Sequence, residues 1–127
     1  MQFFVNHFYI FISIFFAVSS QLIIKWKMSA VSLSSDETFV DKLLFAMGML
    51  FNPYIILSIV FTLLSGLSWM IAMTKFEISY AYPFTLLGLV FVTIFSVLIF
   101  HETINIHKVI GITLILVGVY IISKGIN

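Results

Sequence analysis

Four long apolar stretches, separated by short polar breaks, run through the chain. They cover about 8–24, 53–74, 80–100 and 107–123, the last beginning between Ile106 and Val109. Each is close to the roughly 20 residues with which a helix spans the hydrocarbon core of a bilayer. Because backbone groups cannot bond to water in lipid, the pattern predicts four transmembrane helices and an all-α integral membrane fold.

The first stretch has one alternative interpretation, a signal peptide cleaved after the small residues 17–19. Such a peptide begins with a basic region, and no lysine precedes Lys25 in this sequence. We therefore favour a membrane span for 8–24.

The polar segment between the first two stretches predicts an amphipathic helix. Ser34 and Glu37 have the spacing of a capping box, and Asp36 beside them suits a helix N-terminus. Apolar residues then recur at helical spacing: Phe39, Val40, Leu43, Leu44, Met47, Leu50 and Phe51. We predict that this helix lies on the membrane surface and connects to the second span at Pro53, a connecting role being favoured over gating.

Composition agrees with a lipid-facing surface and excludes several functions. The 127 residues are 62% hydrophobic and 9% charged, whereas soluble domains carry about 25% charged residues. The length predicts a single domain, residues 1–127. A net charge of +1 without any arginine provides no basic face for nucleic acid. The absence of cysteine excludes disulfides and thiolate metal sites.

Small and polar residues share one face in each of the first three helices. The faces consist of Ser13, Ala17, Ser20, Gln21 and Lys25 in the first, Ser58, Thr62, Ser65 and Trp69 in the second, and Tyr82, Thr85 and Ser96 in the third. If these faces converge, they form a semi-polar cavity, although Ser and Thr can equally bond to carbonyls of their own helices. Gln21 is a stronger candidate because an amide in hydrocarbon needs a partner; a cavity role and a structural role both remain open.

The fourth helix carries glycines rather than polar residues. Gly111 and Gly118 fall on one face, which predicts close packing against another helix of the same chain or of a partner. Four short helices enclose little volume, so we expect a dimer.

Several motifs, in this order, resemble the drug/metabolite transporter superfamily in its short EamA-like form. They are Ser20-Gln21-Leu22-Ile23-Ile24-Lys25, Asn52-Pro53, Ser68-Trp69-Met70-Ile71-Ala72, Ile78-Ser79-Tyr80-Ala81-Tyr82-Pro83, Phe100-His101-Glu102 and Gly111 to Val119. Each motif is short, but their shared order covers nearly the whole chain.

Two branches of four-helix members differ in their chemistry. Small multidrug resistance exporters carry a carboxylate in the first helix, at the position of Ala17 here, and a cation-binding tryptophan near Thr85. Without a buried carboxylate, there is no group that could bind a cationic drug and a proton in alternation. The chain is more similar to the small flippase subunits that move undecaprenyl-phosphate-linked aminoarabinose, which share the Gln21 to Lys25 pattern and the Ala81-Tyr82-Pro83 start of the third helix.

The resemblance implies a site in which the sugar-phosphate head group crosses between two subunits while its polyprenyl chain stays in lipid. Lys25 or Lys27 would meet the phosphate. Gln21 and Tyr82 would bind sugar hydroxyls, Trp69 would stack on the ring, and Thr85 completes the predicted substrate contacts. Pro83 would hold Tyr82 in a non-standard backbone geometry.

Plain structural roles compete with each of these assignments. Lys25 can simply extend to the interface, and Trp69 and Tyr82 can be aromatic anchors. For Glu102 we favour a structural role near the start of the fourth helix, where Asn105 is the expected cap.

The remaining predictions concern function class and partners. The sequence contains no nucleophile–base pair, metal cluster or glycine-rich phosphate loop, so it predicts no enzyme and no cofactor. It predicts no metal site either, since His101 and His107 have no helical register that would pair them. The expected setting is the bacterial inner membrane, with lipid, an amphiphilic substrate, and a second copy or related small subunit as partners. The alternatives are a multidrug exporter and a non-transporting subunit of a glycosyltransferase complex.

Overall fold

The computed structural model describes residues 2–31 and 37–125, with side chains from residue 4 onward, and every regular element among them is helical. The elements are α1 Gln2–Met28, α2 Phe39–Met49, α3 Pro53–Met73, α4 Ile78–Ala81, a 3-10 turn Tyr82–Thr85, α5 Leu86–Phe100 and α6 Ile106–Ser123. Four segments are long and apolar enough to cross a membrane: Phe4–Met28, Pro53–Met73, Ile78–Phe100 and Ile106–Ser123. The predicted all-α fold with four spans is confirmed.

The first helix begins before the apolar stretch that predicted it. Helix α1 starts at Gln2, six residues before the predicted start of the span at Phe8. Asn6 and His7 lie inside the helix, and the His7 side chain is buried against aromatic residues of later elements. Because the His7 side chain has these partners inside the bundle, it does not have to reach water, and the helix continues through this position.

The surface helix α2 is present where the sequence placed it, although a different pair of residues caps it. The backbone N–H of Asp41 donates to the Thr38 hydroxyl at 3.2 Å, and the Thr38 N–H donates to the Asp41 carboxylate at 3.3 Å. Ser34, which forms the predicted capping box with Glu37, lies outside the described residues, as does Asp36. No residue of α2 is buried, so its apolar stripe is available to the membrane surface.

Asparagine caps start two of the spans. The Asn52 side-chain oxygen accepts from the Tyr54 N–H at 2.9 Å, and Pro53 occupies the first turn of α3. The Asn105 side-chain oxygen accepts from the Lys108 N–H at 2.9 Å at the start of α6. Both caps satisfy amides that have no partner within their own helix.

Helices α1 and α3 are joined by serine hydroxyls that cross the interface. Ser13 donates to the Ser65 carbonyl at 2.9 Å, and Ser65 donates back to the Ser13 carbonyl at 2.7 Å. Near the other end of α1, Ser20 donates to the Ser58 carbonyl at 2.9 Å. Small hydroxyl residues let two helices approach closely in lipid, where the hydrophobic effect does not drive association.

We expect Ser20→Ala to lower the free energy of unfolding by about 0.6–1.7 kcal/mol, the range for single interhelical hydrogen bonds in membranes. Ser20 is almost fully buried and also lies 2.6 Å from the Thr62 hydroxyl. The matched control is Thr113→Ala, because the exposed Thr113 hydroxyl donates only within its own helix, to the Val109 carbonyl. Reversible unfolding in bicelles measures both losses; equal losses would contradict an interhelical role for Ser20.

Helix α6 lies at the edge of the described bundle. Val119 is its one buried residue, and it joins an apolar core to which α1, α3, α4 and the 3-10 turn also contribute. A methyl group built on Gly111 or Gly118 would meet no atom within 4 Å, so neither glycine packs closely against a described helix of its own chain. Packing against a partner remains the prediction for this pair.

Candidate functional site

A cavity of about 540 Å³ lies between α1, α3, the 3-10 turn and α5. Its lining residues come from all four elements: Ser13, Ile14, Ala17, Val18, Gln21, Thr62, Ser65, Gly66, Trp69, Thr85, Leu86, Gly88, Leu89 and Val92. None of them is charged. The cavity thus brings together three residues predicted to bind substrate, Gln21, Trp69 and Thr85.

Most hydroxyl groups in this cavity already have partners. Ser13 and Ser65 bond to each other across the helix interface, and Thr62 donates to the Ser58 carbonyl at 2.9 Å. Thr85 donates to the Tyr82 carbonyl at 2.6 Å. In the part of the chain that the structure describes, the amide of Gln21 makes no hydrogen bond. Gln21 is also exposed, so its amide is the polar group most available to a ligand.

Tyr82 lies beside the cavity rather than in its lining. Its ring meets that of Trp69 in an edge-to-face arrangement, with centroids 6.2 Å apart. Such pairs hold both rings in place. Ser96, which was expected on the same face, is buried away from the cavity, and its carbonyl accepts from the Glu102 N–H at 3.3 Å.

Pro83 changes the hydrogen-bond pattern of the third span but does not distort Tyr82. The backbone of Tyr82 has φ −60° and ψ −42°, which lies in the right-handed helical region. Because proline has no N–H, the α-helical ladder is interrupted at Pro83, and Tyr82–Thr85 forms a 3-10 turn. This turn carries Thr85 to the cavity.

Lys25 lies one helical turn beyond Gln21, outside the lining residues. Its Nζ is 3.9 Å from a carboxylate oxygen of Glu102, in the loop after α5. Glu102 therefore faces the candidate phosphate ligand rather than only the start of α6. Both side chains are partly exposed, and such ion pairs contribute little to stability. The pair can open without a large cost.

Lys27 is engaged differently. Its Nζ lies 4.5 Å from the ring centroid of Tyr54 and 5.1 Å from that of Trp26. A lysine over two aromatic rings at the membrane boundary is typical of an interfacial anchor. Of the two lysines considered for the phosphate, Lys25 is therefore the better placed.

A second cavity, of about 450 Å³, lies between α1 and α5 and is almost entirely apolar. Its lining residues are Phe11, Ile14, Phe15, Val18, Ser19, Leu22, Phe91, Phe95 and Ile99. Ile14 and Val18 line both cavities, so a polar-lined space and an apolar one meet at the same two side chains of α1.

Sequence reasoning missed His7 as well as the glycines of the site. Gly66 lines the cavity, and Gly88 is buried where α5 crosses α1. His7 directly precedes the apolar stretch 8–24, and its Nε2 lies 2.8 Å from the Tyr80 hydroxyl. The signal available in the sequence was a histidine directly before a long uncharged segment rich in aromatic residues. Among the described residues, no group of three or more His, Asp or Glu side chains could hold a metal.

A cavity between membrane-spanning helices agrees with the family to which the sequence belongs. Residues 3–124 match the profile of the EamA-like transporter family. The chain is a member of this family. Its family is one of transporters, in agreement with the prediction that the chain is not an enzyme, and the suggested resemblance to short EamA-like proteins is confirmed.

Two relatives are named as flippase subunits. The chain is 32% identical over 112 residues to the probable 4-amino-4-deoxy-L-arabinose-phosphoundecaprenol flippase subunit ArnF of Proteus mirabilis (strain HI4320), over 83% of this chain and 81% of that one. It is 36% identical over 74 residues to the probable 4-amino-4-deoxy-L-arabinose-phosphoundecaprenol flippase subunit ArnE of Aeromonas salmonicida (strain A449), over 58% of this chain and 65% of that one. No solved structure gives a significant match.

Proposed function

We propose that the chain is one subunit of a dimeric flippase that moves an undecaprenyl-phosphate-linked sugar, or a similar amphiphile, across the bacterial inner membrane. The observation that carries the proposal is the cavity of about 540 Å³ within the spans, which presents an unbonded amide and an indole. Both relatives described above are named as subunits of a lipid-linked sugar flippase, which supports the same substrate class.

The sugar would bind at the centre of the cavity. The amide of Gln21 offers a donor and an acceptor to ring hydroxyls, and the indole of Trp69 offers a face for stacking. Thr85 adds a hydroxyl oxygen that can still accept. Tyr82 stands at the edge of the cavity, where its contact with Trp69 fixes the orientation of the indole.

The phosphate would lie at the boundary of the membrane, one helical turn from the sugar. A turn of helix rises about 5.4 Å, so Gln21 and Lys25 are close enough to contact neighbouring groups of one ligand. Lys25 supplies the cation there. Glu102 competes with the phosphate for Lys25, so binding requires the ion pair at 3.9 Å to open.

The hydrocarbon chain would remain on the lipid side of α1. The apolar cavity between α1 and α5 has few polar groups and is adjacent to the polar-lined one through Ile14 and Val18. A ligand with a polar head and an apolar chain fits this pair of spaces, whereas a compact cation does not use the second one.

A partner subunit would close the open side of the cavity. An exposed Gln21 facing lipid would be costly, and a second chain or a bound ligand removes that cost. Gly111 and Gly118 on α6 have room for a closely packed helix from another chain. The partner is either a second copy or a related small subunit.

A multidrug exporter is the less favoured function. Exchange of a cationic drug for a proton needs a membrane-embedded carboxylate. None of the residues described as lining the cavity is an Asp or a Glu.

We expect polyprenyl-phosphate sugars, and not quaternary ammonium compounds, to raise the melting temperature of the protein in nanodiscs. A ligand that binds only the folded state stabilises it by mass action. Gln21→Ala and Lys25→Ala should each reduce the effect, and Glu102→Gln should strengthen it because it frees Lys25. Lys27→Ala, a lysine engaged by aromatic rings, is the matched control and should behave like wild type.

Flipping is tested with the same variants in proteoliposomes that contain a fluorescent polyprenyl-phosphate sugar. A membrane-impermeant reductant then reports how quickly the probe reaches the outer leaflet. Stabilisation by the ammonium compounds alone, or equal flipping by wild type and Gln21→Ala, would contradict the proposal.

A further inference from the structure

His7 is the one ionisable side chain that is buried among the described residues, with 8% of its surface exposed. It lies in α1, inside the span Phe4–Met28. Ionisable groups inside membrane spans are costly, and those that occur usually mark paths for protons or ions. His7 is not one of the residues that line the cavity, so the proposed substrate site does not account for it.

The imidazole is enclosed by three later parts of the chain. Its Nε2 lies 2.8 Å from the hydroxyl oxygen of Tyr80 in α4. Its ring centroid is 4.6 Å from that of Phe76, in the loop before α4, and 6.1 Å from that of Phe84, in the 3-10 turn. All of these contacts lie at the end of the bundle where α1 begins and α6 ends.

Tyr80 is the titratable group that faces His7 from these elements, since Phe76 and Phe84 cannot ionise. Lys75 and Glu77, on either side of Phe76, are exposed, as is Lys124 after the end of α6.

Protonation would change the hydrogen bond between His7 and Tyr80. Histidine is the side chain whose charge ordinarily changes between about pH 5 and 8. A neutral imidazole has one donor and one acceptor nitrogen, whereas the protonated ring has two donors. After proton uptake both ring nitrogens are donors, so Nε2 donates to the Tyr80 oxygen whichever tautomer the neutral ring has, and the hydroxyl hydrogen of Tyr80 points toward another acceptor. The pair is then charged, and the alternative arrangement with Tyr80 as the donor is lost.

The same contacts reach the cavity through the 3-10 turn. Phe84, which packs on His7, directly precedes Thr85, a cavity residue whose hydroxyl donates to the Tyr82 carbonyl. Tyr82 in turn contacts Trp69, another cavity residue. Short 3-10 segments within longer helices often mark hinges. His7 is therefore connected by a continuous series of contacts to two residues of the cavity.

We propose that His7 is a proton-binding site, reached from the membrane face where α1 begins, and that its protonation moves the 3-10 turn Tyr82–Thr85 relative to the cavity. Proton binding stands independently of the substrate. The coupling of protons to transport rests on the proposed function, and it would let a proton gradient drive the movement of the head group.

The first test uses the protein in nanodiscs without any ligand. Histidine is labelled with ¹⁵N, and its ring signals are followed by NMR from about pH 5 to about pH 8. The His7 signals are those lost in His7→Gln, while the exposed His101 and His107 serve as internal references. We expect the His7 ring to titrate in this range and its titration to shift in Tyr80→Phe. A His7 ring that does not change its protonation state would overturn the proposal.

The second test asks whether protonation reaches the cavity. In a Trp26→Phe background, Trp69 is the remaining tryptophan, and its fluorescence reports on the cavity. We expect a pH-dependent change that is retained in His107→Gln and lost in His7→Gln. If His7→Gln does not fold, Tyr80→Phe replaces it and should shift the response. Fluorescence that does not depend on pH would overturn the coupling. So would a pH response that is the same in the wild type, His7→Gln and Tyr80→Phe.

Ligand binding separates this inference from the proposed function. We expect the affinity for a polyprenyl-phosphate sugar to differ about fivefold or more between about pH 5.5 and about pH 7.5, as allosteric coupling typically does. Equal affinities at both pH values would overturn the coupling and leave the flippase proposal intact. If no lipid-linked sugar binds while Trp69 still responds through His7, the flippase proposal fails and the proton site stands.

Discussion

Gly66→Phe is expected to abolish the stabilisation of the protein by polyprenyl-phosphate sugars while leaving its fold intact. Gly66 lines the cavity, and a methyl group built on it would meet no atom within 4 Å. The Cβ of a phenylalanine has room at this position, and its ring would extend into the cavity of about 540 Å³. It would occupy space that the sugar needs, beside Trp69, and we expect the affinity to fall by about tenfold or more, which corresponds to about 1.4 kcal/mol.

Ligand-induced shifts of the melting temperature measure this effect, and Gly48→Phe is the matched control. Gly48 lies in α2, and a methyl group there also meets no atom within 4 Å. It is not among the residues that line the cavity. Gly48→Phe should bind the ligand as wild type does. Undiminished binding by Gly66→Phe would place the substrate elsewhere than in this cavity.

Gly88→Leu is expected to cause the largest loss of stability among single glycine replacements in the chain. Gly88 is buried where α5 crosses α1, and a methyl group built on it would lie 3.5 Å from a Val18 methyl and 3.6 Å from an Ile14 methyl. The methyl group alone makes ordinary contacts, but a leucine adds three further carbon atoms at the crossing of α1 and α5, next to Val18 and Ile14. Overpacking of this kind costs about 1–3 kcal/mol.

The matched variant at the same position is Gly88→Ala, which should unfold close to the wild-type midpoint. Reversible unfolding in bicelles, compared with that of the wild type, measures both changes. A Gly88→Leu protein as stable as Gly88→Ala would show that α1 and α5 are not held together at this crossing. Because Ile14 and Val18 line both cavities, Gly88→Leu should also alter ligand binding.

Local sequence signals located the helices well. The apolar stretches predicted all four spans because lipid leaves the backbone no alternative to helix over such lengths. The caps at Asn52 and Asn105 follow from the side chain and the amide two or three residues later, so a short piece of sequence contains both partners. The amphipathic helix was predicted for the same reason, from the spacing of its apolar residues.

Predictions that depended on a distant partner were less complete. Nothing near His7 in the sequence shows that Tyr80 lies beside it. Likewise, the pairing of Lys25 with Glu102 joins the end of α1 to a loop after α5. The backbone of Tyr82 stayed helical because Pro83 removed a hydrogen bond without forcing its neighbour out of the helical region.

The apolar pattern of the chain is enough to show that it crosses a membrane four times and which polar groups its helices carry. Helical periodicity places Ser13, Ser20 and Gln21 on one face of α1 whatever the rest of the chain does. Their different surroundings become visible once the helices are packed together. Ser13 and Ser20 bond to α3, whereas Gln21 is left open at the cavity. A polar side chain on α1 forms a hydrogen bond across the interface only where a partner group of another helix lies opposite it, and long-range packing sets which helix that is.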